Sequence, residues 1–209
     1  MNVAVLVVIL TVVEGELRVL LIHRSGEPAM GAWALPGGFP QSGESLADAA
    51  ARKLVEETGV GDVYLEQLFT FDGLDEGTQG SVAVSYFALV DTRRVRLRDE
   101  PAWEPRWYPV SDLPHLAFNN ERVTDYAVER LRNKLQYTNV AYSLMAQSFP
   151  LSELQAVYES IFGRRFDKRN FRRRLLSQGI LRPTGKTVAR GAGRPAELYE
   201  FTSRAPMVL

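Results

Sequence analysis

The chain has 209 residues, of which 45% are hydrophobic, and it carries 25 basic and 25 acidic side chains. This length suits one large domain or two modest ones, each with a buried core. The absence of cysteine excludes disulfides and thiolate metal sites and fits a reducing cytoplasm. The longest apolar run, 3–13, is too short to cross a bilayer as a helix, so we expect no membrane partner.

The charge is distributed unevenly along the chain. Residues 140–209 carry 12 Lys and Arg against 5 Asp and Glu, whereas residues 1–139 carry 13 against 20. A basic module joined to an acidic one predicts that only the C-terminal part binds a polyanion. The alternative is a chance distribution of solvated surface charge.

The first part of the chain combines β-rich runs with two helical segments. We predict strands at 3–13, 17–23, 63–71, 81–90 and 103–109, and helices at 46–58 and 122–135. A loop rich in Gly and Pro, 25–43, precedes the first helix, and Gly59 is placed to end that helix as a C-terminal cap. This order predicts an α/β (α+β) domain over residues 1–137.

The remainder of the chain, 138–209, has a different pattern. We predict helices at 140–147, 152–162 and 168–178, and strands at 180–184 and 197–201. Ser152 with Gln155 has the spacing of a capping box, and Asp167 is a suitable N-cap for the third helix. Three short helices followed by a hairpin is the order of a winged helix-turn-helix.

Residues 38–60 carry Gly, Arg and Glu at characteristic intervals. The matching residues are Gly38, Glu44, Arg52, Leu54, Glu56, Glu57, Gly59 and Val60. This spacing resembles the Nudix box at every fixed position but one, and the preceding Leu35-Pro36-Gly37-Gly38 also resembles that family. The resemblance covers residues 1–137 and implies a Nudix-type α/β/α sandwich.

The exception is Lys53, where the Nudix hydrolases carry a glutamate. The 100° helical step places Arg52, Lys53, Glu56 and Glu57 on one arc, with Ala47, Ala51, Leu54 and Val55 expected to pack inward. An ammonium group does not ligate Mg²⁺, and Lys53 can pair with Glu57 at i,i+4.

The sequence therefore predicts a degenerate box of Arg52, Lys53, Glu56 and Glu57 with no catalytic residue. It also predicts no required cofactor and at most weak Mg²⁺ binding by Glu56 and Glu57. Alternatively, Lys53 points to solvent and a glutamate from outside the box does the chemistry.

A pocket for a nucleotide diphosphate is predicted around the same helix. Its expected residues are Arg24, Gly37, Gly38, Phe39, Arg52, Glu56 and Glu57. The two glycines permit close approach of the backbone to phosphate. Phe39 can stack on a base or ribose, although a phenylalanine in a turn is as often part of the core.

The third helix of the basic part is predicted to bind DNA. Its expected contact residues are Lys168, Arg169, Asn170, Arg173 and Arg174, joined by Lys186, Arg190 and Arg194 in the wing. Arg and Asn read base edges in the major groove, and the wing would hold phosphates or a minor groove. Arg172 falls in the apolar arc and is expected to be structural. The alternative is a solvated arginine-rich helix with a mobile hairpin.

Both parts together resemble the Nudix-related transcriptional regulators of NAD metabolism. The further matches are Leu116-Ala117-Phe118, the stretch 131–137, the stretch 169–173, and Gly193-Arg194-Pro195 with Tyr199. The resemblance implies a homodimeric repressor in the bacterial cytoplasm, associated with the nucleoid. Its Nudix-like domain would bind ADP-ribose or a related pyridine nucleotide and release double-stranded operator DNA.

Two departures from that family leave the effector open. The family pattern has Asp-His where this chain has Asn119-Asn120, and an arginine is usual near Gln79. Some relatives control sugar utilisation and respond to sugar phosphates. Two different functions also remain compatible with the sequence: an active Nudix ADP-ribose pyrophosphatase with an accessory basic domain, and an interaction scaffold with a vestigial pocket.

Overall fold

The structure is a computed structural model that describes residues 2–61, 63–74, 81–97, 103–189 and 195–209. The chain separates into two compact units. The first comprises Met1–Val13 with Leu17–Arg130, and the second comprises Glu14–Glu16 with Leu131–Leu209. Among the described residues, no helix is both long and apolar enough to cross a membrane.

The elements up to residue 137 combine a mixed sheet with two helices. In chain order they are β1 (Asn2–Val13), β2 (Glu16–His23), β3 (Trp33–Ala34), β4 (Gly37–Gly38), α1 (Leu46–Thr58), β5 (Tyr64–Asp72), β6 (Ser81–Leu89), a 3₁₀ turn (Thr92–Arg94), β7 (Arg106–Pro109), a 3₁₀ turn (Ala117–Asn119) and α2 (Asn120–Tyr137). These elements confirm the predicted α/β class, with boundaries that differ by a few residues.

Strand β1 lies inside the sheet. It pairs in parallel with β6 and antiparallel with β4, while β5 pairs antiparallel with the far side of β6. Strand β2 carries β3 and β7 as antiparallel neighbours. The alternating residues Val5, Val7 and Ile9 of β1 are fully buried in a core cluster with residues of α1. Their neighbours Val8 and Leu10 are also buried, as expected for an internal strand covered on both faces.

Helix α1 begins and ends as its sequence predicts. The Ser45 hydroxyl accepts the backbone N–H of Asp48, and Gly59 adopts φ 77° and donates its N–H to Val55 O. Of the four residues predicted to face inward, only Leu54 is buried; Ala47, Ala51 and Val55 are exposed, whereas Ala49 and Ala50 are buried. The buried face of α1 lies closer to the charged residues than the predicted face does. Glu57 is therefore in the interior.

The second unit contains the predicted winged helix. After a 3₁₀ helix (Val140–Leu144) come β8 (Phe149–Pro150), α3 (Leu151–Phe162), α4 (Lys168–Ser177), β9 (Leu181–Val188) and β10 (Ala196–Phe201). The three strands pair in the order β8-β10-β9. Strand β8 is absent from the sequence-based prediction because two residues are too few to produce an alternating pattern.

One of the two predicted helix caps in this unit is correct. The Asp167 carboxylate accepts the N–H of Asn170, so it caps α4 as expected. The capping box at Ser152 was wrong, because α3 starts one residue earlier with Pro150 at the N-cap. The Gln155 amide instead donates to Glu159 and to the carbonyl of Phe166, at 2.9 Å each. The first predicted helix, 140–147, is a shorter 3₁₀ helix.

Candidate nucleotide site and DNA-binding surface

Glu57 is the best-buried charged residue of α1. Its side chain is 1% exposed, and Oε2 accepts the backbone N–H of Gly37 at 2.9 Å. The other carboxylate oxygen, Oε1, is buried and accepts no hydrogen bond. Burial raises the pKa of Glu57, and the Gly37 N–H and Lys53 oppose that rise. Glu57 thus fixes the glycine loop to α1 and retains one oxygen that faces Lys53.

Lys53 lies between the two adjacent glutamates of the box. Its Nζ is 3.3 Å from Oε1 of Glu57 and 3.4 Å from Oε2 of Glu56. The i,i+4 pairing predicted from the sequence is therefore present, and the alternative in which Lys53 points to solvent was wrong. A single ammonium group pairs with both carboxylates at the place where the hydrolases carry a third acidic residue.

Arg52 forms a second group of ion pairs on the same helix. Its guanidinium donates to both carboxylate oxygens of Glu44, at 2.7 and 2.8 Å, and to Oε2 of Glu56 at 3.0 Å. The hydrogen bonds from Arg52, together with the N–H of Gln41, lower the pKa of Glu44 to about 2. Arg52 also donates to the carbonyl of Phe39 at 3.3 Å. These contacts hold the loop before α1 against the helix.

Both glycines of the loop lie close to other atoms of the protein, Gly37 to backbone and Gly38 to a flexible side chain. A Cβ at Gly37 would lie 2.4 Å from the carbonyl oxygen of Val5, because β4 crosses β1 closely. A Cβ at Gly38 would lie 2.7 Å from Cε of Lys53. The sequence-based interpretation assigned both glycines to phosphate contact, and the structure supplies a packing reason for each.

The remaining predicted pocket residues, Phe39 and Arg24, have different surroundings. The Phe39 ring is 62% exposed, so it is not part of the core. Arg24 donates to the carbonyl of Pro28 at 2.9 Å, and its guanidinium lies 4.9 Å from the centre of the Phe118 ring. Phe118 itself adopts φ 58°, a strained value for a non-glycine residue.

Asn120, the first residue of α2, joins the loop between β3 and β4 to the segment that precedes α2. It is fully buried, and its Oδ1 accepts the N–H of Leu35 at 2.9 Å across 85 residues of sequence. Its Nδ2 donates to the carbonyl of Phe118 at 3.2 Å. Sequence reasoning noted Asn120 only as a departure from a family pattern and did not place it beside the glycine loop.

The side chains of α1 do not fit a divalent cation. A Mg²⁺ ion requires several hard oxygen ligands, and here an ammonium group occupies the space between the two carboxylates. Within the part of the chain that the structure describes, no group of three or more His, Cys, Asp or Glu residues is placed to hold a metal.

The predicted DNA-contacting residues of α4 are all exposed. They are Lys168, Arg169, Asn170, Arg173 and Arg174. Phe171 and Leu175 are buried on the opposite face, as the helical spacing predicted. A groove of about 780 Å³ separates α4 from the wing, with Lys168 and Arg172 on one side and Lys186 on the other. The wing residues Arg190 and Arg194, like Gln79, lie outside the described residues.

Two side-chain contacts fix the shape of this surface. Arg172 donates to the Tyr199 hydroxyl at 2.9 Å, and that hydroxyl donates to Glu197 at 2.5 Å. Arg172 is therefore a paired structural residue that joins α4 to β10, as expected. Arg173 donates to Oδ1 of Asn170 at 2.8 Å, so the two side chains are oriented together. Sequence reasoning missed the contact with Tyr199, because no local pattern relates α4 to a residue of β10.

Comparison with known proteins identifies both units. Residues 1–129 match the NUDIX domain, and residues 141–201 match the NrtR DNA-binding winged helix domain. Over 198 residues the chain is 37% identical to the "ADPR responsive transcriptional repressor NtrR" of Acinetobacter baylyi, covering 92% of this chain and 79% of that protein.

Solved structures agree with this assignment. NrtR of Shewanella oneidensis, crystallised with a 27mer DNA, has a TM-score of 0.83 and 35% identity, covering 95% of this chain and 93% of that one. The NUDIX domain of S. oneidensis NrtR, solved with ADP ribose, has a TM-score of 0.55 and 35% identity, covering 63% and 88%. This chain belongs to the NrtR family of transcriptional regulators, which join a NUDIX domain to a DNA-binding winged helix domain.

Proposed function

We propose that the protein is a repressor that senses ADP-ribose or a closely related nucleotide without hydrolysing it. Residues 1–137 form the sensing domain and residues 138–209 the DNA-binding domain. The single observation that carries the sensing part is the position of Lys53, whose ammonium group pairs with both Glu56 and Glu57. The repressor of A. baylyi, which its name describes as ADPR responsive, supports the same effector for this chain.

The effector would bind beside α1 and the glycine loop. Arg24, Gly37, Gly38, Phe39, Arg52, Glu56 and Glu57 are the proposed ligand-binding residues. A diphosphate carries negative charge, which the cations Arg24, Arg52 and Lys53 would attract. Phe39 is exposed and available to stack on a base or ribose. The complex of the S. oneidensis NUDIX domain with ADP ribose supports this choice over a sugar phosphate.

The box residues would bind the effector in place of the chemistry found in Nudix hydrolases. General-base and metal-assisted hydrolysis both require a carboxylate that is free to accept a proton or an ion. Glu44 and Glu56 are bound to Arg52, and Glu57 is bound to Gly37 and faces Lys53. We therefore propose that no box residue is catalytic, that no cofactor is required, and that Glu56 and Glu57 bind Mg²⁺ weakly or not at all.

The winged helix would read operator DNA as a homodimer in the cytoplasm, in contact with the nucleoid. Lys168, Arg169, Asn170, Arg173 and Arg174 are the proposed contacts of α4, and Lys186, Arg190 and Arg194 those of the wing. Two copies would bind half-sites separated by multiples of about 10 base pairs. Crystallisation of S. oneidensis NrtR with DNA supports this part.

Fluorescence anisotropy of labelled DNA from upstream of the protein's own gene tests the proposal. We expect saturable binding that competes poorly with random DNA and that is weakened at least about tenfold by ADP-ribose. Ribose 5-phosphate serves as the sugar-phosphate comparison. Stronger release by ribose 5-phosphate would reassign the effector. Steady production of AMP at ordinary enzyme rates would instead support a working pyrophosphatase.

A further inference from the structure

The second unit contains a cavity that shares Asn170 and Arg174 with the proposed DNA-binding surface. The cavity measures about 320 Å³ and lies between the end of α2, α3 and α4. Its lining includes four aromatic rings and two arginines: Tyr158, Phe162, Phe166, Phe171, Arg164 and Arg174. We name it the aromatic cavity. Its volume is at the lower end of the range of small-molecule sites, which suits a ligand of one or two rings.

The aromatic rings form a continuous wall. Tyr158 lies edge-on to Phe171 with ring centres 5.2 Å apart, and Phe166 lies 5.8 Å from Phe171. Phe162 continues the wall at 5.7 Å from Phe166. A planar aromatic ligand would find both ring faces and ring edges in this arrangement.

The hydroxyl of Tyr158 is a polar group beside this wall. The residue is 6% exposed, and its hydroxyl has no hydrogen-bond partner among the described residues. In the absence of a ligand, water can satisfy this hydroxyl, because it is not one of the fully buried side-chain atoms that lack a partner among the described residues. A ligand with an acceptor group would satisfy the Tyr158 hydroxyl.

Two guanidinium groups give the cavity a preference for anions. Arg164 lies 5.2 Å from the centre of the Phe166 ring and 6.0 Å from that of Phe162. Arg174 lines the cavity from α4 and is electrostatically coupled to Tyr158. The acidic side chain in the lining, Asp167, already accepts the N–H of Asn170 as the cap of α4.

We propose that the aromatic cavity is a binding site for a small aromatic anion, such as an aromatic carboxylate. The ring of the ligand packs against Tyr158, Phe162 and Phe171. The Tyr158 hydroxyl and the Arg174 guanidinium bind its carboxylate. This site is separate from the nucleotide site, because every residue that lines it belongs to the second unit.

Isothermal titration of the full chain with indole-3-acetate tests this site. We expect saturable binding with a dissociation constant of about 0.1–1 mM, which is reasonable for a ligand of this size. Tryptamine has the same ring system with a cation in place of the carboxylate, so it should bind at least about tenfold more weakly. Absence of saturable binding, or equal binding of tryptamine, overturns the proposal.

Substitutions in α3 and α4 test whether indole-3-acetate binds in the aromatic cavity. Arg174→Gln should weaken binding of indole-3-acetate about tenfold, and Tyr158→Phe about threefold to tenfold. Arg173→Gln is the matched control, because Arg173 is on the same helix but does not line the cavity. We expect it to change the affinity less than about twofold. Equal losses for Arg173→Gln and Arg174→Gln, or no loss for Arg174→Gln and Tyr158→Phe, would show that the probe binds elsewhere.

Discussion

The ammonium nitrogen of Lys53 lies 3.3 Å from Oε1 of Glu57, a carboxylate oxygen that accepts no hydrogen bond. An unpaired carboxylate at this depth would be costly, so the pair stabilises the junction between α1 and the glycine loop. The same pair occupies the oxygens that a Nudix hydrolase would use for chemistry. One residue therefore links the stability of the first unit to its proposed role as a sensor.

Substitutions of Lys53 test separately its contribution to the stability of the first unit and its effect on catalysis. Lys53→Gln should lower the free energy of unfolding by about 1–3 kcal/mol, because Glu57 loses its ionic partner. Urea unfolding followed by tryptophan fluorescence measures this change. Trp33, Trp103 and Trp107 all belong to the first unit, so the signal reports that unit. An unchanged midpoint would mean that the pair contributes nothing to stability.

Lys53→Glu should additionally create hydrolysis. We expect AMP release from ADP-ribose in Mg²⁺ about 100-fold faster than for the unmodified chain, at the low end of what a positioned general base contributes. Lys53→Gln is the matched control, because it removes the ammonium without adding a carboxylate. If the two variants release AMP at the same rate, the missing carboxylate is not what limits catalysis.

Glu44 and Glu57 should change the free energy of unfolding in opposite directions as the pH rises. The pKa of Glu44 is lowered from 4.5 to about 2, so its stabilising contribution is present above pH 4.5 and is lost as the pH falls toward 2. The pKa of Glu57 is raised, so its contribution is greatest below pH 4.5 and declines as the pH rises through its folded value.

Urea unfolding at a series of pH values checks both directions. Glu44→Gln should reduce the loss of stability between pH 4.5 and 2, and Glu57→Gln should reduce the decline above pH 4.5. Each variant controls for the other, since each removes one carboxylate from the same box. Identical pH profiles for both variants would contradict the opposite assignments.

Asn120 should matter for stability through its contact with the loop before β4. Asn120→Ala leaves the buried N–H of Leu35 without an acceptor and should cost about 1–3 kcal/mol in unfolding free energy. Asn120→Asp keeps the acceptor for Leu35 but can donate to Phe118 only when its buried carboxyl is protonated, so it should approach the stability of the unmodified chain only at acid pH. Thermal unfolding of both variants measures the difference. An Asn120→Asp variant that is no more stable than Asn120→Ala at acid pH would refute the role assigned to the Leu35 contact.

Arg173 should contribute to recognition of the DNA sequence. Arg173→Ala should cost about 1–3 kcal/mol of discrimination between operator and random DNA if it reads a base. Arg165→Ala is a control of equal charge, because Arg165 is exposed, lies outside α4 and pairs with Glu159. Anisotropy titrations on both DNAs give the two affinities. Equal losses on operator and random DNA would assign Arg173 to phosphate contact.

Local signals in the sequence predicted much of the architecture. The Gly59 and Asp167 caps and the i,i+4 spacing of Lys53 and Glu57 act over one helical turn, so the neighbouring residues determine them. The Nudix box and the charge asymmetry indicated that two modules are present, as the two family matches show. These features required no knowledge of which segments meet in space.

Features that depend on tertiary contacts were not predictable in this way. A helical wheel gives the angles between residues but not the direction in which the sheet lies, which is why the exposure of Ala47, Ala51 and Val55 was missed. The hydrogen bond from Leu35 to Asn120 joins residues 85 positions apart, and no periodicity encodes it. The aromatic cavity arises where three helices meet, whereas its phenylalanines have the spacing of ordinary core residues.

The most direct test of the central claim follows operator binding over time after a single addition of ADP-ribose. Labelled operator is saturated with the full chain in Mg²⁺, a modest excess of ADP-ribose is added, and the anisotropy is recorded for several hours. A sensor that does not consume its ligand predicts a fall in anisotropy that persists throughout. Recovery of the anisotropy as the ADP-ribose is destroyed, or no fall at all, would contradict the account.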